Sequence, residues 1–178
     1  MVAKKHEIQR RYDCTAYLYN RRYREIQKKK YEEVLSYLKN AGLILDVGCG
    51  TGMFTKLLVQ RAHFVVGVDL SLGMLHAAGD MPRGVSLVQA DADHLPFQDG
   101  TFDVVVSITL LQNMPDPGST VRELARVLKR GGLLIVSTLR HRHSTCQLRK
   151  WITSTNLKPI RVGRIPDSED ILCIARRQ

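Results

Sequence analysis

Three glycines within five residues close the run Leu45-Asp46-Val47-Gly48-Cys49-Gly50-Thr51-Gly52, and the acid Asp46 stands just before them. Glycines at this spacing let a backbone pass very close to a ligand and turn directly into a helix. Met53, Phe54, Leu57 and Leu58 then fall on one helical face. That helix is expected to aim its first amides at the ligand, a suitable place for a carboxylate. Three ligand classes use such a strand, glycine loop and helix. A dinucleotide fingerprint needs a further glycine at position 53, where Met53 stands, and a phosphate loop needs Gly-Lys-Ser/Thr, which does not occur. Two of the three are thereby excluded.

Other acids stand at matching places. His63-Phe64-Val65-Val66-Gly67-Val68-Asp69 reads as a second buried strand whose final acid lies seventeen residues after Gly52. An acidic side chain there can accept hydrogen bonds from both ribose hydroxyls of a nucleoside. Then come Gln89-Ala90-Asp91-Ala92-Asp93-His94-Leu95-Pro96-Phe97, Thr101-Phe102-Asp103-Val104-Val105-Val106-Ser107, and Glu123-Leu124-Ala125-Arg126-Val127-Leu128-Lys129-Arg130-Gly131-Gly132. In this order, over about 43–138, these segments resemble the class I S-adenosylmethionine-dependent methyltransferases of the type 11 group. The glycine loop is similar to their motif I, and the later segments to "D-A-x-x-L-P-F", "F-D-x-V" and "E-x-x-R-V-L-K-P-G-G".

The resemblance implies S-adenosylmethionine as cofactor and assigns its contacts. Asp46 would organise the loop and reach the amino end of the methionine, with Gly48, Cys49, Gly50 and Gly52 against the cofactor. Asp69, with Leu70 beside it, would hold the ribose. Asp91 would face the adenine amino group, with the Ala92 amide near the ring and Asp93 as a competing assignment. Ser107 closes the set at the end of the fourth strand. Arg130 stands where the family usually has proline, and Gly73 sits in a helix where a longer residue is common. Tyr12-Asp13…Ala16…Tyr19-Asn20 resembles the family's "Y-D-x-x-A-x-x-Y-D" helix, which folds over the cofactor, with Asn20 replacing the second acid. Tyr12, Tyr19 and Tyr23 are open to two readings, contact with cofactor or acceptor, or plain packing.

The charge is segregated. The chain of 178 residues carries a net charge of +10; residues 1–40 have 11 Lys/Arg against 5 Asp/Glu, residues 41–138 have 7 against 9, and residues 139–178 have 9 against 3. The two ends therefore hold the whole excess, and in class I methyltransferases those parts commonly shape the substrate side of the cleft. A positive rim there suits a polyanion, with RNA (tRNA or rRNA) first among candidates; a solvated basic surface is the plainer alternative. The length fits one domain over residues 1–178 with a single sizeable core. No stretch approaches the ~20 apolar residues of a membrane span. No secretory signal pattern opens the sequence, and the four cysteines (Cys14, Cys49, Cys146, Cys173) lack any paired spacing. Free thiols in a cytoplasmic setting, with no metal site, are expected.

These residues need a scaffold. Helices are expected over 7–20 and 21–39, the second turning Tyr23, Ile26, Val34, Leu35 and Leu38 to the core and Arg21, Arg24, Lys28, Lys29, Glu32 and Lys39 outward. Strand one starts near Leu43. Helix 52–61, strand 63–69, helix 71–78 capped by Ser71, strands 85–90 and 102–108, helix 119–129 and strand 132–138 follow. Thr120 and Glu123 sit at capping-box spacing, and Gly131 reads as a helix stop. A helix over about 144–156 and strands at Lys158 to Val162 and Ile171 to Ala175 complete the chain. Alternating strands and helices with continuous apolar strands argue an α/β parallel sheet with helices on both faces. The resemblance implies that it is doubly wound and seven-stranded, in order 3-2-1-4-5-7-6 with strand 7 antiparallel. The site should fall at the carboxyl ends of strands one, two and four, with the 109–118 loop lining the acceptor pocket.

Methyl transfer from a sulfonium requires positioning rather than a strong acid or base, so no catalytic residue stands out. Ser107-Ile108-Thr109-Leu110 lacks the Asn/Asp-Pro-Pro-Tyr/Phe signature of many nitrogen methylating relatives. Thr145-Cys146 lies beyond strand five, where a cytosine-C5 nucleophile is not expected, and Cys49 needs no such role. His141 and His143 read either as base or phosphate clamp, or as a solvated basic turn. Leu111-Gln112-Asn113-Met114-Pro115-Asp116 resembles "L-R-N-I-P-D" in quinone-biosynthesis methyltransferases, which opens a small-molecule, quinone-like acceptor as an alternative. A cofactor-binding partner subunit without activity of its own is a further reading. The apolar edge strand Val85-Ser86-Leu87-Val88-Gln89 could pair with a small activator subunit, by analogy with relatives that use a zinc-ribbon protein.

Overall fold

A computed structural model describes residues 2–178, with side chains from Lys5 onward; the opening residues, where no leader pattern was read, otherwise lie outside the described part. One sheet organises the chain. Its strands are β1 (Ala41–Val47), β2 (Ala62–Asp69), β3 (Val85–Gln89), β4 (Phe102–Ser107), β5 (Leu128–Leu139), β6 (Leu157–Arg164) and β7 (Asp170–Arg177), in spatial order β3-β2-β1-β4-β5-β7-β6. β1 to β5 run parallel, and β7 pairs antiparallel with both β5 and β6. This is the expected fold, and the apolar runs explain it: Leu43–Val47, Val65–Val68 and Val104–Val106 face packing on both sides.

Two apolar layers flank the sheet. On one face Val121, Leu124, Leu148 and Ile152 of α4 (Pro117–Val127) and α5 (Thr145–Thr153) cover Leu45, Val105 and Leu134. On the other, Val34 of α1 (Val2–Tyr37), Leu38 just beyond it and Phe54 and Leu58 around α2 (Thr55–Leu58) cover Ile44, Val104 and Ile135. A short α3 (Leu72–Ala77), capped by Ser71 as expected, packs under α1.

Several local expectations change. The two N-terminal helices are one continuous α1, because residues 2–37 contain no glycine or proline to break it. Ile26 faces solvent, while Gln27 and Lys30 are buried in its place. Tyr23 lines a cleft instead of entering the core. The helix after the glycine loop begins only at Thr55 and passes into a 3-10 turn over Val59–Arg61, leaving Leu57 exposed. Asp116, not Thr120, caps α4, accepting from the Gly118 and Ser119 amides behind Pro117 at the first turn. α4 ends at Val127, and Gly131 lies within the longer β5 at φ 76°. At α5 a capping box does form, between Ser144 and Gln147.

Candidate functional site

A cleft of about 790 Å3, its open mouth included, lies at the carboxyl ends of β1, β2 and β4, where the strand order switches. Its floor is the glycine loop. Gly48 and Gly50 line it at φ 78° and 56°, a region side chains disfavour. A Cβ at Gly50 would point toward the Tyr19 ring 3.9 Å away, and one at Gly48 would press on Leu110 at 3.1 Å. The loop hangs on β2, with the Gly48 and Cys49 amides donating to the Val68 carbonyl at 2.8 and 3.0 Å.

Asp69 is the central acid. Its Oδ2 accepts from the Gly50 amide at 2.8 Å and its Oδ1 from the Ser71 amide at 2.9 Å. Burial pushes its carboxyl above the ordinary value, and those amides pull it back. Each oxygen keeps a lone pair, so the side chain can still accept two hydroxyl groups.

Asp91 and Ala92 form the far wall, reached by the loop between β3 and β4. That loop is held by α4. Glu123 accepts from the Leu95 amide at 2.7 Å, while Arg126 donates to the Leu95 and Phe97 carbonyls and pairs with Asp99. The "E-x-x-R" and "D-A-x-x-L-P-F" segments are therefore two sides of one contact. Lys5 bridges Asp91 and Asp93 at 2.6 and 2.5 Å, and Asp93 also accepts from the Thr120 hydroxyl. Asp91 lines the cleft and Asp93 does not.

Of the eleven predicted residues, Gly48, Gly50, Asp69, Leu70, Asp91, Ala92 and Tyr19 line this cleft. Asp46, Cys49, Gly52 and Ser107 do not. Asp46 is buried beneath the loop, where its carboxylate accepts from the Thr55 hydroxyl at 2.6 Å; burial pushes it up to about 7. Cys49 is buried, and Ser107 Oγ is buried without a partner. Gly52 faces Met81 and Ala78.

α1 closes the cleft from above. Lys5, Ile8, Gln9, Tyr12 and Tyr19 all line it. Gln9 donates to the Leu70 carbonyl, and Asp13 Oδ1 accepts from the Ser71 hydroxyl at 2.5 Å and the Gly73 amide at 2.9 Å. Gly73 is small because the Asp13 backbone crosses there, its Cα 2.9 Å from where a Cβ would stand. Asn20 pairs with Thr51 of the glycine loop.

A second, wider cleft adjoins the first and shares Tyr12, Tyr19, Thr109 and Asn113 with it. Its floor was invisible in the sequence. Lys30 and Asp170, both buried, pair at 2.7 Å, and Asp170 also accepts from Thr109 and Ser137. Thr109 sits at φ 60° after β4, a conformation costly for a β-branched residue. The walls carry Arg11, Arg140, His141, Arg142 and Arg164. His143 lines neither cleft; it packs edge-on to Trp151, and burial followed by the Arg142 charge holds its imidazole below the usual value. Cys146 is exposed on α5, remote from both clefts' linings.

Among the described residues no helix is long and apolar enough to cross a membrane. Residues 45–136 match the family model described as a methyltransferase domain. The demethylmenaquinone methyltransferase of Corynebacterium urealyticum is 42% identical over 94 residues, 53% of this chain and 40% of that protein. The chain spans about half the length, or less, of the curated relatives it matches. Among solved structures, magnesium protoporphyrin IX methyltransferase from Synechocystis with bound S-adenosylmethionine aligns at TM-score 0.81 and 21% identity, covering 98% of this chain and 97% of that one. A Haloferax volcanii methyltransferase in complex with the Trm112 methyltransferase activator aligns at TM-score 0.80 and 20% identity, covering 93% and 96%. The glycine cradle and the half-satisfied, buried Asp69 suit a nucleoside with an attached amino acid, and the chain belongs to the class I methyltransferase domain family, whose cofactor is S-adenosylmethionine.

Proposed function

We propose that this chain transfers the methyl group of S-adenosylmethionine to an RNA acceptor. The observation that carries the reading is the adjoining cleft: it shares Tyr12, Tyr19, Thr109 and Asn113 with the cofactor cleft, and Arg11, Arg140, His141, Arg142 and Arg164, with Lys29 and Lys30, outnumber Glu25, Asp167, Glu169 and Asp170 in its lining. A positive, concave surface beside a methyl donor concentrates a polyanion. Asp69 would hold the ribose hydroxyls, the Gly48 and Gly50 backbone would lie against the methionine end, and Asp91 and Ala92 would face the adenine. Asp46 supports the loop from beneath through the Thr55 hydroxyl.

When bound, the cofactor supplies a sulfonium methyl: as the acceptor lone pair bonds to that carbon the S–C bond breaks, leaving a neutral thioether, and an acceptor proton, if present, passes to water. The protein's share is positioning. Tyr12, Tyr19, Thr109 and Asn113 form the opening between the clefts, and the Lys30–Asp170 pair holds Thr109 there. No strong base is required of this chain.

The curated relatives support a second reading, a small quinone-like acceptor, since several are named demethylmenaquinone methyltransferase and the Leu111–Asp116 loop resembles theirs. Incubation of labelled S-adenosylmethionine with cell extract, with and without ribonuclease, separates the two. Ribonuclease-sensitive label supports RNA; label in the organic fraction moves the assignment to the small acceptor.

A small activator subunit fits the β3 edge. No helix covers the connection from β3 to β4, and Phe64 is 40% exposed beside half-buried Val66 and Val88. The Haloferax neighbour with its Trm112 activator lends this support. Copurification of the chain with such an activator, lost on Leu87→Pro, tests it. The 1–178 span works in this reading as one domain in the cytoplasm, its basic ends shaping the acceptor side and its cysteines free.

A further inference from the structure

We infer that the second cleft takes an unpaired, single-stranded stretch of RNA, with bases against a ladder of tyrosines on α1 and phosphates on three arginines. This rests on the RNA reading above and specifies which form of RNA the site accepts.

The ladder consists of Tyr12, Tyr19 and Tyr23, all lining the cleft. Tyr19 and Tyr23 lie with ring centroids 4.8 Å apart, and Tyr12 meets Tyr19 edge-on at 6.3 Å. The rings are fixed by amides: Asn113 Nδ2 donates to the Tyr12 hydroxyl at 3.1 Å and Gln27 Nε2 to that of Tyr19 at 3.4 Å. Arg11 and Arg22 sit over the Tyr12 and Tyr23 rings at 5.3 and 6.0 Å, each placing its charge beside the neighbouring phenol. Aromatic faces of this kind accept any base, because every base has a π-face to stack.

The charge is arranged to match. Lys29, Lys30 and Arg140 are committed to Asp167, Asp170 and Glu169. Arg11, Arg142 and Arg164 line the cleft and make no ion pair among the described residues, and Glu25 is the one lining acid outside those pairs. Three guanidiniums without an ion pair, around a tyrosine cluster whose rings meet edge-on and tilted, form an electrostatic groove with an aromatic floor. A base inside a duplex presents no free face to that floor, and the opening to the cofactor lies between Tyr12, Tyr19, Thr109 and Asn113. A base that is to be methylated must therefore arrive unstacked.

The test uses the full chain saturated with S-adenosylhomocysteine and a fluorescein-labelled twelve-nucleotide RNA, single-stranded or annealed to its complement, read by anisotropy. The single strand is expected to bind at least about tenfold tighter, with a log–log salt slope near about −2, about −0.7 for each of three phosphates. Arg142→Ala and Arg164→Ala should each flatten that slope by about 0.7. Tyr23→Leu should weaken the single strand about tenfold, while Tyr23→Phe should not. None of these residues lines the cofactor cleft, so unchanged S-adenosylhomocysteine binding certifies each variant's fold. Equal affinity for duplex, a flat slope, or a harmless Tyr23→Leu overturns the inference. If RNA still takes up labelled methyl in that case, the RNA reading stands and only the single-strand groove falls. If RNA neither binds nor takes label, both fall together.

Discussion

Lys30 of α1 and Asp170 of β7 meet at 2.7 Å with both side chains shut away from water, and Thr109 is tied to each of them. The pair joins the helix that roofs the cofactor cleft to the strand inserted last in the sheet. Two charges buried together are costly to separate, because the survivor keeps its desolvation penalty. Lys30→Met is therefore expected to lower unfolding free energy by about 3–5 kcal/mol in a denaturant titration. Lys30→Met with Asp170→Leu should regain most of that loss. If the single variant costs under about 1 kcal/mol, the pair is not holding α1 in place.

The ribose role proposed for Asp69 requires hydrogen bonds that a neutral amide cannot reproduce on both oxygens. Asp69→Asn would turn one acceptor into a donor facing the Gly50 or Ser71 amide. Calorimetry with S-adenosylhomocysteine should show affinity down by about ten- to a hundredfold. Unaltered affinity would remove Asp69 from the ribose subsite.

Gly73 and Gly79 make a matched pair of tests. Alanine at Gly73 would drive its Cβ to 2.9 Å from the Asp13 backbone and lift α1 off α3. Alanine at Gly79, at φ 63° with nothing within 4 Å, meets strain and no obstacle. Gly79→Ala should cost about 1 kcal/mol of stability with cofactor affinity intact. Gly73→Ala should weaken the cofactor several-fold, and equal effects from the two would deny α1 its part in the cleft.

Asp46 gives a pH dependence of defined sign. Burial raises its carboxyl to about 7 in the folded chain, against about 3.9 when unfolded. The native state thus holds a proton the unfolded chain has lost between those values. That stabilisation is complete below about pH 4 and is lost as pH rises through about 7, at up to about 1.4 kcal/mol per pH unit. Asp46→Asn lacks the term, so wild-type stability should decline relative to the variant across that window. Parallel curves would show that Asp46 is ionised in the fold throughout.

The acids at the strand ends show what sequence can and cannot display. Asp46 and Asp69 both stand at the ends of apolar strands, and the family resemblance assigned both to the cofactor. Val47 lines the cleft while its neighbour Asp46 turns beneath the loop, because successive side chains of a strand point to opposite faces. The strands were readable because buried parallel strands are almost purely apolar, while their order came from the family resemblance. The roof was not, since apolar periodicity cannot reveal a buried lysine such as Lys30, whose partner lies on another element. The break placed between Asn20 and Arg21 had no breaker residue behind it, and the helix runs through.

The first turns of α1 touch the core through polar groups almost alone: Lys5 to Asp91, Gln9 to the Leu70 carbonyl, Asp13 to Ser71 and Gly73, Tyr12 to Asn113. Asp91, Leu70, Ser71 and Asn113 are themselves part of the cofactor cleft. Docking of this helix and occupancy of the cleft are thus thermodynamically linked, each strengthening the other by the same factor. Amide exchange along residues 5–20 becomes an internal gauge of how much cofactor the protein carries.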